Sequence, residues 1–231
     1  MKLPRKVRRN WLNFNKRMRI TSLLGAALVL LSAVACQQST ETTLPILGER
    51  EPVTRTVDGQ SVTDTIYHSI ADFRLLNQDS VFIDNHTFEN GVYVANFFFT
   101  HCPSICPTMQ RNVLKVYEKY KGDERVRFLS HSIDFRYDTP SVLKAYAEKL
   151  GVTNDQWQFV TGSKADIYGM ADSYMAYLKE DAGVAGGYDH SGYLLLVDRD
   201  RHIRGAYDGT SEDQLQLLLN DLSILLKEMA D

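Results

Sequence analysis

The sequence predicts an α/β fold, a central mixed sheet flanked by helices, and three observations carry that prediction. Short apolar runs alternate with stretches of helical period from about residue 92 to residue 178. The densest run, VYVANFFF at 92–99, is almost wholly β-branched, aromatic or small and apolar. A strand covered on both faces needs that composition. A two-strand pattern and one long amphipathic stretch then close the chain.

The elements follow in order. Phe73-Arg74-Leu75-Leu76 and Ser80-Val81-Phe82-Ile83 flank Asn77-Gln78-Asp79, which reads as a hairpin. After the buried strand at 92–99, helical spacing runs over 108–120 and stops at Gly122. A strand is expected at 126–133 and a helix at 141–150, where Pro140 supplies a start and Gly151 a stop. A short strand at 157–160 leads to a helix over 165–178. A glycine-rich loop at 183–187 then precedes an apolar strand at 193–197. Asp198-Arg199-Asp200-Arg201 turns the chain into 202–207. Thr210 or Ser211 caps a last helix, whose Leu215, Leu218, Leu219, Leu222, Leu225 and Leu226 share one face. A βαβ unit followed by ββα is the order of a thioredoxin-like fold, expected here over 66–231.

The first 65 residues read differently. Positions 1–19 hold eight Lys and Arg and no acid, and ITSLLGAALVLLSAVA follows at 20–35, ending at Cys36. A basic region, an apolar region and small residues before a boundary make an export signal at 1–35. At 16 residues the apolar stretch is short for a spanning helix, which takes roughly 20. Ala33-Val34-Ala35-Cys36 resembles the lipobox of bacterial lipoproteins, with Cys36 as the lipid anchor; the competing reading is an uncleaved N-terminal helix. Either one places the folded part outside the cytoplasmic membrane, tethered to it. Residues 36–65, rich in Thr, Gln, Glu and Pro toward their start, are expected to be a flexible tether.

Setting aside the eight basic residues of 1–19, 18 Lys and Arg remain against 29 Asp and Glu, a net charge of about −11. That balance argues against nucleic acid as a partner and favours basic proteins or metal ions.

Two cysteines remain for chemistry. Cys102 and Cys106 lie just past the buried strand, at the sheet edge where open α/β sheets bind ligands. A helix starting near Pro107 points its free N–H groups at them and favours the thiolate. Such a pair can close a disulfide, exchange with another one, or bind a soft metal. As a structural bridge it would staple very little chain.

The three intervening residues give a wider loop than the Cys-x-x-Cys of thioredoxin-like oxidoreductases. Those proteins also carry a cis-proline before the strand that here begins near Tyr193. The six prolines stand at 4, 45, 52, 103, 107 and 140, so that slot holds none. Tyr188-Asp189-His190-Ser191-Gly192 occupies it, setting an imidazole opposite the cysteines. Two thiolates and an imidazole suit copper; zinc is the rival, although structural zinc takes four ligands.

FTHCPSICPTM at 99–109, SIDFRYDTP at 132–140 and YDHSGYLLLVD at 188–198 together resemble the signature blocks of the Sco (SenC/PrrC) proteins. These are membrane-tethered, thioredoxin-like copper-binding proteins that assist assembly of the binuclear copper centre of cytochrome c oxidase. The resemblance runs from about residue 70 to the C-terminus, and Phe135 departs from a position where the family commonly has Pro. It implies copper as the bound metal, with Cys102, Cys106 and His190 as its ligands. It also implies a copper-accepting subunit of cytochrome c oxidase as partner.

Three acids are expected near such a centre: Asp189 as a hydrogen-bond acceptor orienting His190, and Asp134 and Asp138 as loop caps or charge tuners. His101 reads as a bystander. Met109, Met170 and Met175 read as core residues. The expected function is a tethered copper chaperone, with an upstream copper donor or thiol reductant as a further partner. The alternative is a thiol–disulfide oxidoreductase in which Cys102 and Cys106 are catalytic and His190 is dispensable.

Overall fold

The computed structural model describes residues 43–230. The export signal and Cys36 lie outside the described residues. Among the described residues no helix is long and apolar enough to cross a membrane.

Among the described residues there are eleven strands and four α-helices: β1 (Arg50–Val57), β2 (Gln60–Tyr67), β3 (Arg74–Asn77), β4 (Phe82–Asp84), β5 (Val92–Phe98), α1 (Cys106–Tyr120), β6 (Val126–Ser132), α2 (Pro140–Lys149), β7 (Trp157–Thr161), α3 (Lys164–Ser173), β8 (Leu178–Glu180), β9 (Tyr188–His190), β10 (Tyr193–Val197), β11 (Ile203–Asp208) and α4 (Glu212–Glu228). Seven of the strands make one mixed sheet in the order β11-β10-β5-β6-β7-β3-β4. β5, β6 and β7 run parallel, in a register set by pairs such as Val92↔Val126 and Phe128↔Trp157. β10 and β3 flank them antiparallel. The arrangement is a thioredoxin-like α/β sandwich.

Strand alternation divides the core into two halves. On one face Phe98, Phe128, Trp157 and Phe159 pack against Tyr117 of α1 and Tyr146 of α2. On the other, Phe97 and His131 pack against Tyr174 at the end of α3. Every residue of β5 is buried, so this strand, rigid on both sides, carries the loop that follows it.

The segment expected to be a tether differs from 43 onward. Residues 44–47 lie against the edge of β11, because Arg204 donates to the carbonyls of Leu44 and Pro45 while also binding Glu228 and Asp198. Leu44 N–H in turn donates to Glu228 at 2.6 Å, and Leu47 N–H to Ile203 at 2.8 Å. Residues 50–67 then form a solvent-exposed hairpin, β1–β2. Its turn is Asp58-Gly59, with φ of 51° and 79°. An Asp-Gly pair between β-branched runs is a strong two-residue hairpin signal, and it outweighs a Thr-rich composition.

The helix expected at 165–178 also differs. It ends at Ser173, Met175 adopts φ 54°, and Leu178–Glu180 pairs instead with Tyr188–His190. The glycine-rich loop is therefore the turn of a second hairpin.

Candidate metal centre

Two rigid supports bring the centre together. β5 delivers Phe99, whose carbonyl accepts the N–H of Cys102 at 3.2 Å, and α1 starts at Cys106 with Pro107 in its first turn. Across the gap the β8–β9 hairpin delivers His190, paired with Leu178. The hairpin is seated on the cysteine loop through Gly186, at φ 88°. A Cβ there would stand 2.7 Å from the Phe99 ring and 3.1 Å from Pro103. The Tyr188 ring lies 5.3 Å from that of Phe99, and the His190 ring stands edge-on to Phe99 at 6.2 Å.

Cys102 Sγ, Cys106 Sγ and one ring nitrogen of His190 all lie within 4.8 Å of one another. Cys106 Sγ is 3.5 Å from His190 Nε2. The three residues are 7%, 1% and 9% exposed, and both cysteines are free thiols. His190 Nδ1 is 3.1 Å from the Ser191 carbonyl, which can only accept. The proton therefore sits on Nδ1, and the Nε2 lone pair faces the sulfurs. That is how a metal-binding imidazole is oriented by its second nitrogen.

The pair holds its negative charge unevenly. The Cys106 thiol beside it holds Cys102 well below the ordinary thiol range against the opposing effect of burial, with the Ser104 hydroxyl contributing a further hydrogen bond. The same contact, together with burial, pushes the Cys106 thiol up. One thiolate thus stands ready at Cys102, and a cation entering the centre would displace the proton of Cys106.

The three acids take distinct places. Asp138, 1% exposed, accepts from Thr100 N–H at 3.0 Å and from the Thr100 and Ser132 hydroxyls at 2.5 Å each. It ties the end of β6 to the start of the cysteine loop. Asp134 accepts from the N–H groups of Arg136 and Tyr137 and from the Tyr188 hydroxyl at 3.3 Å, capping its loop while touching the strand of His190. Asp189 is exposed and does not reach His190. Neighbours on a strand point to opposite sides, so the orienting acceptor is the carbonyl of Ser191.

His101 is exposed, with Nδ1 3.0 Å from the Thr100 hydroxyl, and stands outside the cluster. Met109 and Met170 are buried, whereas Met175 is half exposed. Two polar groups escaped the sequence reading: Ser104, whose hydroxyl is 3.6 Å from Cys102 Sγ, and Tyr188. Their signal was adjacency in sequence to the ligand candidates. A second group, Asp198, Asp200 and His202, also comes within 4.8 Å. Arg204 already supplies the positive charge there, 3.0 Å from Asp198.

Chemically, two sulfurs and one imidazole make a donor set for a soft or borderline ion, and the same two sulfurs can close a disulfide. The SCO1/SenC family model matches residues 62–223. The chain belongs to the SCO1/SenC family. Among its SCO1/SenC relatives, a SCO1 protein homolog of Bacillus subtilis is 29% identical over 167 residues, spanning 71% of this chain and 86% of the relative. A SCO1/SenC family lipoprotein from Bacillus anthracis has a similar structure, with a TM-score of 0.63 at 27% identity, over 68% of this chain and 95% of that one. BsSco, a member of the Sco family of cytochrome c oxidase assembly proteins in which a disulfide switch has been identified, matches with a TM-score of 0.60 at 27% identity. That match covers 68% of this chain and 93% of BsSco.

Proposed function

We propose that this SCO1/SenC protein is a copper carrier that takes one copper ion through Cys102, Cys106 and His190. It delivers the ion to the copper centre of cytochrome c oxidase. The observation that carries the reading is the convergence of two buried free sulfurs and an imidazole whose tautomer leaves Nε2 open toward them. Thiolate and imidazole ligands select copper over hard cations, and three ligands fall short of the four of a structural zinc site. Family membership and the assembly role of BsSco support the acceptor. The lipoprotein from Bacillus anthracis supports a tether on the extracytoplasmic side, through lipid on Cys36 or an uncleaved helix.

In this reading each residue has a definite task. Cys102 meets the ion as a thiolate, Cys106 gives up its proton on binding, and His190 holds its own proton on Nδ1 throughout. Thr100, anchored by Asp138, keeps the loop in place. Oxidation of the two thiolates to a disulfide, with two electrons passed to an external disulfide, removes two of the three ligands and frees the ion.

The low position of Cys102 favours one rival, a thiol–disulfide oxidoreductase acting on the acceptor's cysteines. Anaerobic copper titration of the reduced full chain in a Cys36→Ser background separates the two. The carrier reading expects a one-to-one complex, abolished in Cys102→Ser and weakened at least tenfold in His190→Ala. A His190→Ala chain that binds copper as tightly as its parent and still supports oxidase assembly would leave the oxidoreductase standing.

A further inference from the structure

The strap at 44–47 is fastened to the domain at the end of the sheet opposite the metal centre. β5 runs toward the cysteine loop, and β10 lies antiparallel to it with Val197 beside Tyr93, at the start of β5. Ile203 of β11 is in turn paired with Val197. Leu47 N–H donates to the Ile203 carbonyl, so the strap sits at that far end. α4 agrees. It starts just past Asp208, which pairs with Tyr193 on the side of the centre, and it finishes at Glu228, where Leu44 is held. The 7 residues of β5 at about 3.3 Å each, or the 17 of α4 at about 1.5 Å, put roughly 25 Å between strap and centre.

One side chain closes the strap. Arg204, only 11% exposed, donates to the carbonyls of Leu44 at 2.6 Å and Pro45 at 3.2 Å while paired with Asp198 and Glu228. Glu228 also accepts Leu44 N–H, and Leu44 and Leu47 pack on the core. Charges this well covered, satisfied by one another and by backbone groups, make strong and specific contacts.

The strap sets the length of the tether. Leu44 stands 8 positions after Cys36, a contour of about 26–29 Å, and a relaxed chain of that length spans about 16 Å. With the strap undone, the next fixed point is Glu49, whose carbonyl accepts His68 N–H at 3.0 Å. Glu49 is 13 positions after Cys36, a contour of about 45 Å. Bringing the centre down to the lipid surface inverts the domain and lifts Leu44 roughly 25 Å above the bilayer. The fastened tether reaches that height only when almost fully drawn out. The released one reaches it at little more than half its contour. An uncleaved helix ending near residue 35 gives the same count. We propose that Arg204 latches the strap, shortening the tether so that the metal centre stays turned away from the bilayer. The acceptor it then serves presents its copper ligands clear of the lipid surface; ligands at headgroup level are out of reach. The inference rests on the tethered copper-carrier reading above.

The test uses the full membrane-anchored chain in phosphatidylcholine vesicles, loaded with Cu(I). One chelator, bicinchoninate, is supplied either free in solution or coupled directly to lipid headgroups of the same vesicles. Two variants lengthen the tether by different routes. Arg204→Met undoes the latch, and about twelve Gly and Ser residues inserted between Gln38 and Ser39 leave it intact. Both should speed transfer to the lipid-borne chelator by about fivefold or more, because a tether too short to span two sites gives an effective concentration near zero. Copper affinity and transfer to the free chelator should stay within about twofold of the parent. Should Arg204→Met not fold, Leu44→Gly/Leu47→Gly, which frees the strap from the core side, replaces it. A parent that serves the lipid-borne chelator as fast as the insertion variant would overturn the inference. So would a folded Arg204→Met chain that stays slow while the insertion variant is fast, or one with weaker copper binding, since Arg204 would then not act through tether length. A parent that is not retained on the vesicles, or takes up no copper, refutes the tethered-carrier reading and the latch with it.

Discussion

Asp138→Ala tests whether the cysteine loop is held by a buried carboxylate. The carboxylate is 1% exposed and accepts three hydrogen bonds, from Thr100 N–H and from the hydroxyls of Thr100 and Ser132. A hydrogen bond to a charged group is worth about 1.5–3 kcal/mol, and stranding its buried donor costs a similar amount. Full additivity fails here, because both hydroxyls can rotate toward other acceptors and water can enter the gap. The loss in Asp138→Ala should therefore be about 3–5 kcal/mol, a large part of the roughly 5–15 kcal/mol that holds a domain together. Asp138→Asn keeps the shape and one acceptor oxygen, and its amide can donate to a rotated hydroxyl. It should lose only about 1–2 kcal/mol. Urea denaturation of the reduced protein at neutral pH reads both. With a slope of about 2 kcal/mol per molar, the Ala midpoint should drop by roughly 2 M. Copper affinity should fall alongside it, since Thr100 lies two residues before Cys102. A loss below about 1 kcal/mol in Asp138→Ala, or an Asn variant as unstable as the Ala variant, would refute the anchor.

Two further outcomes follow from the same reasoning. His131 is fully buried, stacked on Phe97 and beside Tyr174, and burial lowers it from 6.5 to about 4. A base lowered by folding is protonated first in the unfolded chain. Stability from this group is therefore whole above pH 6.5 and is lost as pH falls from 6.5 to 4, by roughly 3 kcal/mol in all. Urea midpoints taken across that window should slope less steeply in His131→Phe than in the parent; parallel slopes would show that His131 does not titrate on unfolding. Gly186→Val places a branched side chain at φ 88° and against the Phe99 ring. It should cost about 1–3 kcal/mol and loosen the His190 hairpin, lowering both the thermal midpoint and copper affinity. Unchanged copper binding would mean that the seat on Phe99 does not position His190.

The reading of the main sheet succeeded where local and tertiary demands agree. β5, β6, β7 and β10 are fully or almost fully buried; β5 and β10 are nearly pure apolar and declare themselves, whereas β6 and β7 are read from their apolar residues although they also bury Ser130, His131, Ser132 and Gln158. α1, α2 and α4 carry either proline starts or a capping serine. The reading failed where a short pairing outweighed local propensity. Ala165 to Leu178 has helical spacing throughout, yet Leu178–Glu180 leaves the helix to pair with β9. No local signal could have shown that partner, eight residues away across a glycine turn. The β1–β2 hairpin failed for the opposite reason. Its Asp58-Gly59 turn was legible, but its strands are exposed on both sides and lack the apolar alternation of a core strand.

The candidate centre divides along the same line. Cys102 and Cys106 announce themselves by spacing and by their place after a buried strand. The sequence by itself determined those two sulfurs, the missing proline before β10 and the presence of an imidazole in its stead. Only the tertiary structure decided how that imidazole is used. The orienting acceptor is a backbone carbonyl, Ser191, which carries no residue identity to read. Asp189, the obvious candidate by chemistry, is turned outward by the alternation of a strand that forms only when β8 and β9 meet. A sequence records which groups are available; folding sets the directions in which they point.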